Sequence, residues 1–165
     1  MSYILYSNNS QVDHDLKQWN QRNLEGELHS FENRTVTRKF NEYTKGPKLK
    51  ILEAGCGLGA WCTWFESRGQ DIIGVEYDNR IVHKARELNP KTPVRLGNVL
   101  QLDFPDNHFD IYVSLGVVEH FENGPQEALI EANRVLKPGG LAFISTPYLN
   151  RLRKSITHPM RSLYF

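Results

Sequence analysis

Cysteine is nearly absent. Cys56 and Cys62 are the two in 165 residues, and both lie in or beside a glycine-rich run, which excludes a disulfide framework and a metal knuckle. They read as free thiols in a reducing cytoplasm. Long apolar runs are missing too: no uncharged stretch approaches the roughly 20 residues that a membrane span needs. The opening "MSYILYSNNSQVDHD" has no basic segment followed by an apolar core, so the expectation is a soluble, untargeted, cytoplasmic protein. Charge of one sign is also lacking. With 20 Lys+Arg against 19 Asp+Glu the formal charge is +1, and the broad basic field that advertises a nucleic-acid partner is not there. His14, His83, His108 and His158 show no ligand spacing with cysteine or carboxylates, so no metal is expected. There is no internal repeat and no low-complexity segment.

What is present suits one ordinary domain with a real core, at 39% hydrophobic content. Up to Gly46-Pro47, the residues Val12, Leu16, Trp19, Leu24, Leu28 and Phe31 recur at helical spacing with a break near Gly26. Val36, Phe40 and Tyr43 continue the pattern on a second short helix. Residues 1–46 therefore read as an N-terminal helical arm. Beyond Pro47 the pattern becomes strand, turn, helix, repeated. Strands are predicted over 48–54, 71–76, 92–98, 109–116 and 141–146. The helices between them carry inward Leu58, Trp61, Cys62 and Phe65; then Ile81, Ala85 and Leu88; then Ala128, Leu129, Ala132, Val135 and Leu136. Stops fall at Gly69, Asn89-Pro90 and Pro138-Gly139-Gly140. Strands alternating with helices imply parallel pairing through right-handed crossovers, hence a doubly wound, Rossmann-like α/β sheet over 47–150. Ligands of such sheets bind beyond the carboxyl ends of the strands.

The first strand end reads "LEAGCGLGAW" (52–61). Its glycines let the chain turn sharply from strand to helix and let a ligand lie against bare backbone. The helix start beyond them offers N–H groups to an anionic group. Two ligand classes fit. Gly55-x-Gly57-x-x-Ala60 satisfies the dinucleotide fingerprint, with Glu76 about 20 residues on, where a ribose-binding acid belongs. Glu53 points the other way, because a carboxylate there would repel a pyrophosphate and attract a ligand bearing an ammonium and a sulfonium. The bland alternative for Glu53 is a solvated strand end.

The segments "ILEAGCGLGAW" (51–61), "IIGVEYD" (72–78), "GNVLQLDFPDNHFDIYVSLGVVEHF" (97–121) and "EANRVLKPGGLAFISTPYLN" (131–150) together resemble the class I S-adenosylmethionine-dependent methyltransferases, in the broad small-molecule group often called methyltransferase type 11. The resemblance implies a sheet of order 3-2-1-4-5 and S-adenosyl-L-methionine as cofactor. It implies Gly55, Cys56, Gly57 and Gly59 as the loop against the methionine part, with Glu53 near its amino group. Glu76 would take both ribose hydroxyls, Tyr77 would lie on the adenine, and Asn98 and Val99 would read the adenine edge. Ser114 and Leu115 would offer backbone carbonyls to the ammonium. The family more often has Asp at position 98, and Asn there is equally a turn former after Gly97.

Methyl transfer from a sulfonium is an in-line displacement that depends mainly on holding the acceptor close and aligned. A base is needed only where the acceptor loses a proton. Glu119 and His120 follow the fourth strand, and histidine is the side-chain type whose ordinary titration lies nearest neutrality, so His120 is the candidate catalytic residue. The alternative is that "VVEHF" forms a helical turn in which His120 merely packs. Tyr148 is a candidate for the acceptor pocket. His29, Trp19 and Tyr43 are candidates on the arm, which in similar enzymes folds over the cofactor as a lid.

The complete class I sheet carries a further antiparallel hairpin beside strand five, and after "ISTPYLN" only the basic tail 151–165 remains. In it Arg151, Arg153, Lys154 and Arg161 alternate with Leu152, Ile156 and Leu163. The expectation is the start of a missing C-terminal part, with cover of the edge by the tail or self-association through it as alternatives. The leading functional reading is methyl transfer to a small-molecule or lipid-like acceptor. "SLGVVEH" stands where nucleic-acid amino-methylating enzymes carry an Asn/Asp-Pro-Pro-aromatic motif, so no nucleic-acid acceptor is expected. The alternatives are a non-catalytic S-adenosylmethionine-binding domain and, against Glu53 and the lack of a Tyr-x-x-x-Lys pair, an NAD(P)-dependent oxidoreductase.

Overall fold

The apolar run from Lys50 to Ala54 forms strand β1, buried from Ile51 onward, as expected of a strand with both faces covered. In the computed structural model, which describes residues 23–32 and 34–147, it lies at the centre of a parallel sheet. The other strands are β2 (Asp71–Glu76), β3 (Val94–Leu96), β4 (Phe109–Leu115) and β5 (Leu136–Ser145). Their order is β3-β2-β1-β4-β5, and every pairing is parallel. The direction of winding reverses between β1 and β4, which opens a crevice at their carboxyl ends.

Helices α1 (Leu24–Ser30), α2 (Thr35–Tyr43), α3 (Ala60–Glu66), α4 (Asn79–Leu88) and α5 (Gln126–Val135), with a 3₁₀ turn at Val118–His120, complete the described chain. Their ends follow from local chemistry. Asp78 Oδ1 accepts from the Arg80 N–H at 2.9 Å to cap α4, and Gly69 at φ +78° closes the turn after α3. Alternating residues of β1 feed two cores. Ile51 packs with Trp61, Phe65 and Val113 on one face, and Leu52 with Val75, Tyr112 and Val135 on the other.

The arm is part of the first core. Phe31 stacks on Trp61 with ring centroids 3.5 Å apart. Phe40, fully buried, meets Phe65 at 4.9 Å and Trp61 and Phe143 at 5.0 Å each. Edge-to-face pairs of this kind add about 0.5–1.5 kcal/mol each beyond their area, so α1 and α2 are anchored to α3.

Several local expectations need correction. Gly26 does not break α1: Asn23 Oδ1 accepts from its N–H, so Gly26 lies inside the capped first turn and the break falls at Phe31. Leu88 and Leu129 are 44% and 41% exposed, and Val82 is inward on α4. The third strand is trimmed to three residues. Strand β5 starts at Leu136, directly after α5, and not at 141. A register shift absorbs Pro138-Gly139-Gly140: Phe109 faces Leu136 while Ile111 faces Leu141. Such a bulge needs no N–H from proline. Val12, Leu16, Trp19, His14, Tyr148, His158 and the basic tail 151–165 lie outside the described residues. Strand β5 is an edge of the described sheet, with Leu141 and Ile144 each more than a third exposed.

Candidate functional site

The loop after β1 turns three times through the left-handed region, at Gly55 (φ +80°), Gly57 (+54°) and Gly59 (+75°). At Gly55 a side chain would also run into Val117, so only glycine fits there. The Gly55 and Cys56 N–H groups both donate to the Val75 carbonyl, at 2.8 and 3.0 Å, tying the loop to β2.

Two adjoining cavities open on this loop. The first, about 710 Å³, is lined by Glu53, Cys56 and Trp61, by Leu115 and His120, and by the arm residues Asn23, Glu27, Ser30, Phe31 and Arg34. The second, about 410 Å³, is lined by Glu76, Tyr77, Asn98, Val99, Leu100, Val117 and Phe121. Gly55, Gly116 and His120 line both.

Glu53 is not a solvated strand end. It is 5% exposed, and its Oε2 accepts from the Cys62 thiol at 3.1 Å. Burial drives its carboxyl up to about 8, although hydrogen bonds from Cys62 oppose this. The same burial raises the Cys56 and Cys62 thiols above their ordinary range, and both cysteines are free.

Glu76 is half-buried, and each of its oxygens holds backbone: Oε2 accepts from the Gly57 N–H and Oε1 from the Asp78 N–H, both at 3.0 Å. The Gly57 N–H of the loop is thus already engaged by Glu76 before any ligand meets it. Asn98 serves as a turn former, its Oδ1 accepting from the Leu100 N–H at 2.9 Å. It nevertheless lines the second cavity beside Val99 and the 76% exposed Tyr77. Leu115 reaches the first cavity, whereas Ser114 is 1% exposed and lines neither. Gly57 and Gly59 shape the loop without lining either cavity.

His120 is exposed at the junction of the two cavities, at the end of the 3₁₀ turn, where its N–H donates to the Val117 carbonyl at 3.0 Å. His29 and Tyr43 line neither cavity; Tyr43 packs on Phe143 instead. The arm residues that do line it, Asn23, Glu27, Ser30 and Arg34, form a polar stripe at spacings of four, three and four. Asn23, Glu27 and Ser30 share a face of the first helix, a spacing visible in the sequence, whereas Arg34 joins them only because the chain turns after Phe31. Among the described residues no cluster of three metal-type ligands occurs, and no helix is long and apolar enough to cross a membrane.

Residues 52–144 match the model of a methyltransferase domain family. A probable S-adenosylmethionine-dependent methyltransferase of Mycolicibacterium smegmatis is 37% identical over 97 residues, which is 59% of this chain and 37% of that protein. A ubiquinone biosynthesis O-methyltransferase of Rickettsia bellii is 29% identical over 146 residues, 83% of this chain and 59% of that protein. A crystal structure of a Pyrococcus horikoshii protein superposes with a TM-score of 0.65 at 25% identity, covering 79% of this chain and 59% of that one. The chain thus spans little more than a third of the mycobacterial relative. The family model covers more than half of the described sheet and helices, the strand order is the one expected, and both acids stand at their strand ends: this chain belongs to the methyltransferase domain family of S-adenosyl-L-methionine-dependent enzymes.

Proposed function

We propose that this chain binds S-adenosyl-L-methionine across the ends of β1, β2 and β3 and directs its methyl group to a small-molecule acceptor in the first cavity. The observation that carries this reading is the pairing of acids. Glu53 lies in one cavity and Glu76 in the next, joined through Gly55.

The donor set fits the cofactor. Glu53 offers a desolvated acid to a cationic amino-acid end and would penalise a pyrophosphate. Each Glu76 oxygen accepts one backbone N–H and retains a lone pair for a ribose hydroxyl. Tyr77, Asn98 and Val99 bound the space for an adenine. When bound, the cofactor supplies a methyl already activated on a sulfonium, so the protein's task is alignment and exclusion of water.

In this reading α1 and the Phe31 corner form the roof under which the acceptor sits, and residues 1–46 act as a lid. His120, at the junction of the cavities, holds the proton that an attacking hydroxyl must lose. Relatives named for O-methylation, the ubiquinone enzyme above and a malonyl-[acyl-carrier protein] O-methyltransferase of Serratia marcescens, support an oxygen acceptor. Two buried free thiols suit a reducing cytoplasm. A second reading, a non-catalytic cofactor-binding domain, draws on the exposed β5 edge, through which a second copy would extend the sheet.

Titration with S-adenosylhomocysteine and, separately, NADH decides between cofactor classes; NADH binding without S-adenosylhomocysteine binding would end the proposal. A radiolabelled methyl-transfer screen over phenolic and carboxylic acceptor pools then separates enzyme from binder. Binding with no turnover, in this chain and in a C-terminally extended one, would favour the second reading.

A further inference from the structure

We propose that Arg34 is a specificity residue that reads a carboxylate on the methyl acceptor. This rests on the proposed methyltransferase site and names the acceptor's class.

Arg34 lines the first cavity together with Glu53, Leu115 and His120, and the groups its side chain meets are neutral. Its guanidinium carbon lies 5.1 Å from the centroid of the Phe31 ring, which itself stacks on Trp61 at 3.5 Å. One terminal nitrogen donates to Ser30 Oγ at 2.7 Å, and that hydroxyl donates onward to the Glu27 carbonyl at 2.6 Å. The backbone at this corner is pinned as well. The Phe31 carbonyl accepts from the Arg34 N–H at 3.2 Å and from Thr37 Oγ1 at 2.5 Å, and Thr37 is buried.

Arg34 is exposed, and what separates it from an ordinary surface arginine is that it lines the cavity with its side chain tethered to Phe31 and Ser30. A ring face and a hydroxyl restrain the side chain, which lowers the rotamer freedom lost when a ligand binds. Among the described residues no carboxylate accepts from it. Arg134 and Arg80 direct their forks to Glu131, Asp106 and Asp78, whereas Arg38, Arg68, Arg86 and Arg95, like Arg34, bond hydroxyls or carbonyls, so it is the cavity position that sets Arg34 apart. A guanidinium has five N–H donors in a planar fork, and one stacked face plus one bond to Ser30 leaves the geometry that matches a carboxylate two-fold.

Besides His120 and Cys56, the ionisable chains that line this cavity are the acids Glu53 and Glu27 and the arginine Arg34. Glu53 meets the cationic cofactor, and Arg34 draws the carboxylate of the acceptor while the acceptor's nucleophile points towards His120.

The test is calorimetric titration of the full chain with benzoate and with benzamide, its neutral isostere, each with and without S-adenosylhomocysteine. Wild type is expected to bind benzoate and not benzamide. Arg34→Gln should weaken benzoate by about tenfold or more, Arg34→Lys should fall between, and S-adenosylhomocysteine affinity should stay within about twofold in both. Equal benzoate affinity in wild type and Arg34→Gln, equal binding of benzamide, or no benzoate binding would each overturn the proposal. Failure to bind S-adenosylhomocysteine would instead count against the methyltransferase site. Thermal melts of both variants check that they fold.

Discussion

The Cys62 thiol donates to the Glu53 carboxyl at 3.1 Å inside the core, so the acid that reads as the cofactor's counter-ion is, in the free protein, a buried and hydrogen-bonded group. A thiol is a weak donor and does not offset the loss of water, which is why burial prevails and the carboxyl stands at about 8.

That shift gives a pH dependence of definite sign. Below about pH 8 the free protein keeps Glu53 protonated, and a ligand ammonium favours the ionised form, so binding must release a proton. Affinity for S-adenosylhomocysteine should therefore fall about tenfold for each pH unit below that value. Calorimetry in buffers of different ionisation enthalpy reads the released proton directly, and a flat profile with no release would refute the assignment. In the absence of ligand the native state binds the extra proton, so stability declines as pH rises from the ordinary carboxyl range towards 8. Between pH 5 and 7.5, wild type should lose about 3 kcal/mol relative to Glu53→Gln in urea unfolding.

Glu76 has a second task besides facing the cavity. Because it accepts from the Gly57 and Asp78 N–H groups, Glu76→Ala should lower stability by about 1–3 kcal/mol as well as weakening S-adenosylhomocysteine binding by tenfold or so. Glu76→Gln keeps one acceptor oxygen and should recover part of the stability with less of the affinity. Unchanged cofactor affinity in the alanine variant would count against the whole site.

Gly74 on β2 marks a close approach to both cysteine thiols. A Cβ there would lie 2.6 Å from Cys62 Sγ and 2.7 Å from Cys56 Sγ. Gly74→Ala should cost about 1–3 kcal/mol through overpacking. The penalty should shrink by at least half in a Cys56→Ala/Cys62→Ala background, as measured by a double-mutant cycle in urea. The same penalty in both backgrounds would show that the thiols are not the obstacle.

Much of the site was readable from local pattern. The strand ends at Glu53, Glu76, Asn98 and Leu115 fall where the alternation of strands and helices puts them, and the order of the sheet is the one the family resemblance implied. The misreadings share a cause. Leu88 and Leu129 sit at helical spacing yet face water, and β5 begins five residues early, because neighbouring elements choose which part of an apolar stripe is covered.

The amino-acid sequence by itself determined the class of fold and the loop that bends from β1 into α3, since glycine spacing and apolar periodicity are properties of the local chain. Only the tertiary structure decided that Glu53 is sealed against Cys62, that Glu76 braces the loop it faces, and that Arg34 stands on Phe31 over the cavity. The first two relations join residues 9 and 19 positions apart, Glu53 to Cys62 and Gly57 to Glu76, and the Phe31 ring under Arg34 is itself held by Trp61, 30 positions along the chain. Burial and cross-element hydrogen bonds arise when packed surfaces meet, and no single stretch of chain encodes them.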